Sequence, residues 1–158
     1  MEIGEATHPI RLFNSIMIKF EFNGTTIDLI QLWNLTYDEF VNRFPESKTT
    51  YSHGFFCEVV LKCAVAFGMP SASVALNYNH EQLDNIIVTW YHTDNLSFKQ
   101  RMRISKATIK SIKESSNGKR VMKKMFFGIR QWQVGNYLLT YRLYEHFVWD
   151  EEILISHK

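Results

Sequence analysis

The sequence lacks what most catalytic and metal sites need. No Cys-x2-Cys or His-x3-His spacing occurs, so the informative zinc patterns are missing, and no metal or cofactor is expected. The seven glycines stand singly, which excludes a phosphate-cradling loop. The two cysteines, Cys57 and Cys63, share the apolar stretch "FFCEVVLKCAVAFG". On a strand they would lie on one face, roughly 20 Å apart at about 3.3 Å per residue. That is too far for a mutual disulfide. A nucleophilic cysteine needs a basic, partly exposed setting, so both are expected to be reduced core thiols. His92 near Asp94 and Glu145 beside His146 have the ingredients of acid–base chemistry, but sequence neighbours on a strand point to opposite faces. No apolar run approaches the ~20 residues that span a bilayer. The first twenty residues, "MEIGEATHPIRLFNSIMIKF", carry early glutamates and no basic region leading into an apolar run, unlike a secretory signal. A cytoplasmic protein is expected, with the Asn-x-Ser/Thr triplets at Asn23, Asn34 and Asn95 serving turns and caps.

What is present is a globular composition. Of 158 residues, 46% are hydrophobic and 15% aromatic, with three prolines, enough for one domain over 1–158 with a continuous core. "IMIKFEF NG TTIDLI" alternates Ile16, Ile18, Phe20 and Phe22 up to Asn-Gly, which predicts an N-terminal hairpin within 16–32.

Two stretches open alike: "NLTYDEF" at 34 and "NLSFKQR" at 95. Thr36 with Glu39, and Ser97 with Gln100, are capping boxes, in which the hydroxyl accepts a backbone N–H and the longer side chain reaches back to the cap. Each follows a strand-like run, "TTIDLIQLW" or "NIIVTWYHT", and so predicts a strand-to-helix junction. Pro45 ends the first helix, and Asn117-Gly118 ends a longer second one. Further parallels follow in the same order. "VAFGM" at 65–69 matches "MFFGI" at 125–129, and Tyr78, His80, Asp84 and Ile87 match Tyr144, His146, Asp150 and Ile153. The pattern predicts tandem halves, 34–92 and 95–157. Each would hold a capped helix, a buried strand ending near Gly68 or Gly128, and a hairpin, "SVALNYN HEQLDN IIVTWYH" or "YLLTYRLYEH FVWDEE ILISH". The fold class is then α+β: mostly antiparallel sheet with two helices on one face, expected as two tandem α-β-β-β units after the N-terminal hairpin.

Charge is unevenly spread. Residues 96–130 hold eleven lysines and arginines against Glu114 alone, net +10, which leaves −8 on the rest of a chain whose total is +2. Arg103, Lys106, Lys110 and Lys113 fall on one helix face, with Ile104, Ala107, Thr108 and Ile112 expected opposite. This stripe, continued by Lys119, Arg120 and Lys123 in "GKRVMKK", reads either as a solvated helix face or as a docking surface for an acidic partner or phosphates. Nucleic-acid binding is the alternative, although rings do not interleave with the basic residues and the acidic remainder opposes a long polyanion. An unrecognised small enzyme is the second alternative. Trp90, Tyr91, Trp132 and Trp149 would serve as interface anchors if exposed, and the polar connections around Tyr78, His80, Tyr144 and His146 as turns or as a contact rim.

With its length, "LWNLTYDEF" after an N-terminal hairpin, paired helix-plus-sheet units and many aromatics without catalytic motifs, the chain resembles the small α+β immunity proteins of bacterial polymorphic toxin systems. In outline it is also similar to two-repeat inhibitors that clamp an enzyme with a concave sheet. The resemblance implies a non-catalytic protein that binds a toxin domain and occludes or distorts its active site. Immunity proteins against nucleases are often acidic; the positive charge here implies instead a toxin with an acidic contact surface. The resemblance carries no motif residues.

Overall fold

Turns and caps set the frame of the fold. The computed structural model describes residues 18–92, 95–117, 119–120, 129–144 and 150–158. Ile18, Phe20 and Phe22 are buried while Lys19 and Glu21 face water. Asn23 and Gly24, both left-handed at φ 49° and 82°, turn β1 (Lys19–Phe22) into β2 (Thr25–Asp28). The strand expected over "TTIDLIQLW" stops early. Asp28 accepts the Gln31 N–H at 2.8 Å and Gln31 Oε1 accepts the Asp28 N–H at 3.2 Å, starting α1 (Leu29–Trp33). Leu29 and Leu32, three apart, then share the buried side of this short helix.

Both expected capping boxes form. Thr36 and Glu39 open α2 (Tyr37–Arg43), with bonds of 3.3 and 2.9 Å, and Pro45 follows its cap residue Phe44. Ser97 and Gln100 open α3 (Phe98–Ser116), with bonds of 3.3 and 2.8 Å. Asn117 ends α3 in the left-handed region at φ 47°; Gly118 lies outside the described residues.

The remaining strands are β3 (Lys48–His53), β4 (Phe56–Ala66), β5 (Met69–Asn79), β6 (Gln82–Tyr91), β7 (Lys119–Arg120), β8 (Ile129–Val134), β9 (Tyr137–Tyr144) and β10 (Asp150–His157). They form one sheet in the order β2-β1-β4-β5-β6-β10-β9-β8-β7, with β3 on β4, and every described pairing is antiparallel. The chain is thus α+β, with three helices among the described residues where two were expected.

β6 and β10 meet at the centre, Val88 opposite Ile153 and Ile87 opposite Leu154. Outward from that pair run β5 and β4 on one side, β9 and β8 on the other. Ala75 pairs with Ile87, and Tyr141 with Ile153, each number 66 higher, the offset that separates Tyr78 from Tyr144. The 125–129 parallel is described only at Ile129. The strand expected to end near Gly128 falls at 121–128, outside the described residues; β8 begins at Ile129, and the turn into β9 is Gly135-Asn136. The first hairpin is also tighter than expected: its connection is His80-Glu81, and "QLDN" belongs to β6.

Alternation assigns the two faces. Ala72, Val74, Leu76 and Tyr78 of β5, Ile86, Val88 and Trp90 of β6, and Glu151, Ile153 and Ile155 of β10 are buried. The helices cover this face: Phe40 meets Phe22 with ring centroids 6.1 Å apart, Tyr37 meets Tyr78 at 5.8 Å, and Trp33 meets Tyr137 at 5.2 Å. Burying each large aliphatic side chain contributes roughly 1.5–3 kcal/mol.

Candidate functional site

The end of the sheet where β3 turns into β4 breaks the rule that large apolar side chains go inside. Here Tyr51 is 56%, Phe55 67% and Phe56 55% exposed. His53 pairs with Phe56, leaving Gly54-Phe55 as the turn, with Gly54 left-handed at φ 59°. The Phe55 ring stacks on His80, with centroids 4.2 Å apart and planes 14° from parallel. The Phe55 carbonyl accepts the His80 N–H at 3.0 Å. Tyr51 lies beside His53, centroids 6.4 Å apart. The β3–β4 and β5–β6 turns therefore form one aromatic tip.

Sequence reasoning placed a contact rim at His80 but missed Phe55 and Phe56, reading them as the start of a buried strand. The signal was Gly54 in "HGFF", which puts the rings on a turn.

His80 and Glu81 turn the chain with φ of 50° and 66°. Two left-handed residues suit Asn-Gly in a two-residue hairpin; without glycine they cost about 1–2 kcal/mol each. The strain is held by the Phe55 contacts and by the Tyr37 N–H, which donates to the Glu81 carbonyl at 3.3 Å. Replacing the pair by Asn-Gly is expected to raise stability by about 1 kcal/mol. Urea denaturation checks this, and an unchanged or lower midpoint would refute the strain.

Under the tip lies a cavity of about 160 Å³ lined by Tyr37, Gly54, Phe55, Cys57, Tyr78, His80 and Glu81. A second, of about 280 Å³, shares Cys57 and Tyr78 and reaches Asp84. The Tyr78 hydroxyl is buried without a hydrogen-bond partner among the described residues. Burial, helped by the Glu39 charge, pushes its phenol well above the usual range, so it stays protonated. Cys57 is half-buried and reduced, as expected, with its sulfur 3.6 Å from Ser52 Oγ; the Cys63 side chain lies outside the description.

The basic ridge of α3 faces water. Arg103, Lys106, Lys110 and Lys113 are exposed, and so is Lys99. Lys110 lies 3.8 Å from Glu114, an exposed ion pair of little stabilising value. The buried side is Ser105, Thr108, Ile112 and Ser116. That corrects the expected apolar face: Ala107 is exposed and Ile104 half-buried. Lys119 and Arg120 form β7, with their side chains outside the description; Lys123, Trp149, His146 and Glu145 lie wholly outside it. Of the remaining expected anchors, Tyr91 is 65% exposed, but Trp90 and Trp132 are core residues, 6% and 4% exposed. Trp90 runs in phase with Val88 and Ile86, and Trp132 with Val134, which carries both rings inward.

α3 docks through a polar cluster. Glu151, 1% exposed, accepts from Thr108 Oγ1 at 2.9 Å and from the Tyr141 hydroxyl at 2.8 Å, and its Oε1 lies 2.8 Å from His92 Nε2. Ser105 Oγ is 2.8 Å from the same Tyr141 hydroxyl. Glu151, fifty-nine residues away, is a partner of His92; Asp94 lies outside the described residues. Burial, reinforced by the Glu151 charge, pushes the Tyr141 phenol far up and keeps it a donor. On the opposite face, burial raises the Glu152 carboxyl, with Arg142 opposing and Asp150 adding to the shift. The atoms of the Glu151 cluster suit acid–base chemistry, but both carboxylate oxygens already have partners and the carboxylate itself is buried. It pins helix to sheet.

Among the described residues no helix is long and apolar enough to cross a membrane, and no group of three or more His, Cys, Asp or Glu is placed to hold a metal ion. No protein-family model, curated protein or solved structure matches the chain.

Proposed function

We propose that this chain is a non-catalytic binding protein that acts by covering part of a protein partner, and in its most specific form an immunity protein that neutralises a cognate toxin domain. The exposed aromatic tip carries the reading. Tyr51, Phe55 and Phe56 give up burial together at one end of the sheet, and a strained turn holds His80 beneath them. Clustered exposed aromatics are what interface hot spots are made of. The α3 ridge adds an electrostatic field that attracts an acidic surface. The halves 34–92 and 95–157 belong to the same proposal as tandem units. The shared 66-residue register about β6 and β10 and the two capped helices support it.

Glutamate at Arg103, Lys106, Lys110 and Lys113 together is expected to slow association with the partner about tenfold at low salt and much less at high salt. Stopped-flow mixing with the product of the neighbouring gene, if it encodes a toxin, checks this; an unchanged rate would reject the ridge. Exposure of five cations along one helix also favours a second reading, nucleic-acid binding. Steep salt-dependent retention on immobilised RNA would support that reading over the first.

A further inference from the structure

We propose that the 160 Å³ cavity beneath Phe55 receives one arginine or lysine side chain of the protein that docks on the tip. The inference rests on the tip being a contact surface and names the group that enters it. Aromatic rings form much of the wall: Tyr37, Phe55, Tyr78 and the His80 imidazole. Ring faces attract a cation within about 6 Å, more strongly when water is excluded. Glu81 adds a carboxylate, Asp84 lines the adjoining cavity, and neither lining includes a lysine or arginine. Glu39 is close enough for its charge to act on Tyr78.

The third element is the Tyr78 hydroxyl, buried and unpartnered on a side chain that lines both cavities. Its oxygen can accept a hydrogen bond from a guanidinium or ammonium. A neutral aliphatic side chain would leave that hydroxyl and Glu81 unanswered, and an anion would meet Glu81 and Glu39. The size also fits, since a cavity of about 150 Å³ holds a benzene ring. This site is separate from the α3 ridge: His80 and Glu81 precede β6, whereas His92, which meets the α3 docking cluster, follows its other end.

The test uses the whole chain and three small probes at pH 8: the N-acetyl methylamides of arginine, lysine and norleucine. NMR titration is expected to give saturable shifts at Phe55, His80 and Glu81 with the cationic probes, at least about tenfold tighter than with norleucine. Glu81→Gln and Tyr78→Phe keep the size and rings of the wall, and each is expected to weaken cation binding several-fold. No saturable shift, an equal response to norleucine, or indifference to both variants would overturn the proposal. Partner binding lost in Phe56→Ala while the probes fail would sink the cation pocket alone. Probe binding without any partner contact at the tip would instead sink the docking reading.

Discussion

Glu151→Ala is expected to lower the stability of the fold by about 3–5 kcal/mol, the loss typical when one member of a buried charged cluster is removed. Three groups lose a partner together: the Thr108 hydroxyl, which retains the Ile104 carbonyl, the Tyr141 hydroxyl, which retains Ser105, and His92. Thr108 and Tyr141 are already desolvated, 3% and 1% exposed, while His92 is half-buried. Each unsatisfied donor costs about 1–3 kcal/mol. Ile112 is the one hydrophobic residue on the fully buried side of α3, and the partly buried Ile109 also packs against the core. Tyr141→Phe removes one of the donors and is expected to cost about 1–2 kcal/mol. Urea denaturation measures both, and amide exchange over 98–116 should accelerate more than elsewhere in Glu151→Ala. A loss below about 1 kcal/mol in Glu151→Ala would show that α3 is held by something other than this carboxylate.

Phe55→Ala and Phe56→Ala are expected to do the reverse, leaving stability nearly unchanged and weakening the partner complex. The two rings are 67% and 55% exposed, so truncation removes little from the core. If they are buried on binding, each is worth about 2 kcal/mol or more, roughly a thirtyfold loss of affinity seen mainly as faster dissociation. Surface plasmon resonance separates this from the ridge, where charge reversal slows association instead. Full affinity in both alanine variants would remove the tip from the interface.

Local chemistry was legible in the residues. Thr36 with Glu39, Ser97 with Gln100, and Asn23-Gly24 state their caps and turn within four positions, and each forms. The Tyr78–Tyr144 offset already held the β5–β6 and β9–β10 register. Contacts across the fold were not legible. Glu151 is in phase with Ile153 and Ile155, so alternation alone points it inward, yet its partners come from β6's end, α3 and β9. α1 was missed because "LIQLW" is too short for strand and helix periods to differ; the Asp28–Gln31 box was the distinguishing sign. Phe55 and Phe56 were absorbed into the apolar run that follows them. Their exposure depends on where the β3–β4 register places the turn.

Hydrogen–deuterium exchange on the chain, free and in complex with its partner, probes the aromatic tip most directly. Binding through the tip should slow exchange over 51–57 and 79–82, the two turns that carry Phe55 and His80. Protection confined to 98–116, or to strands away from these turns, would contradict it.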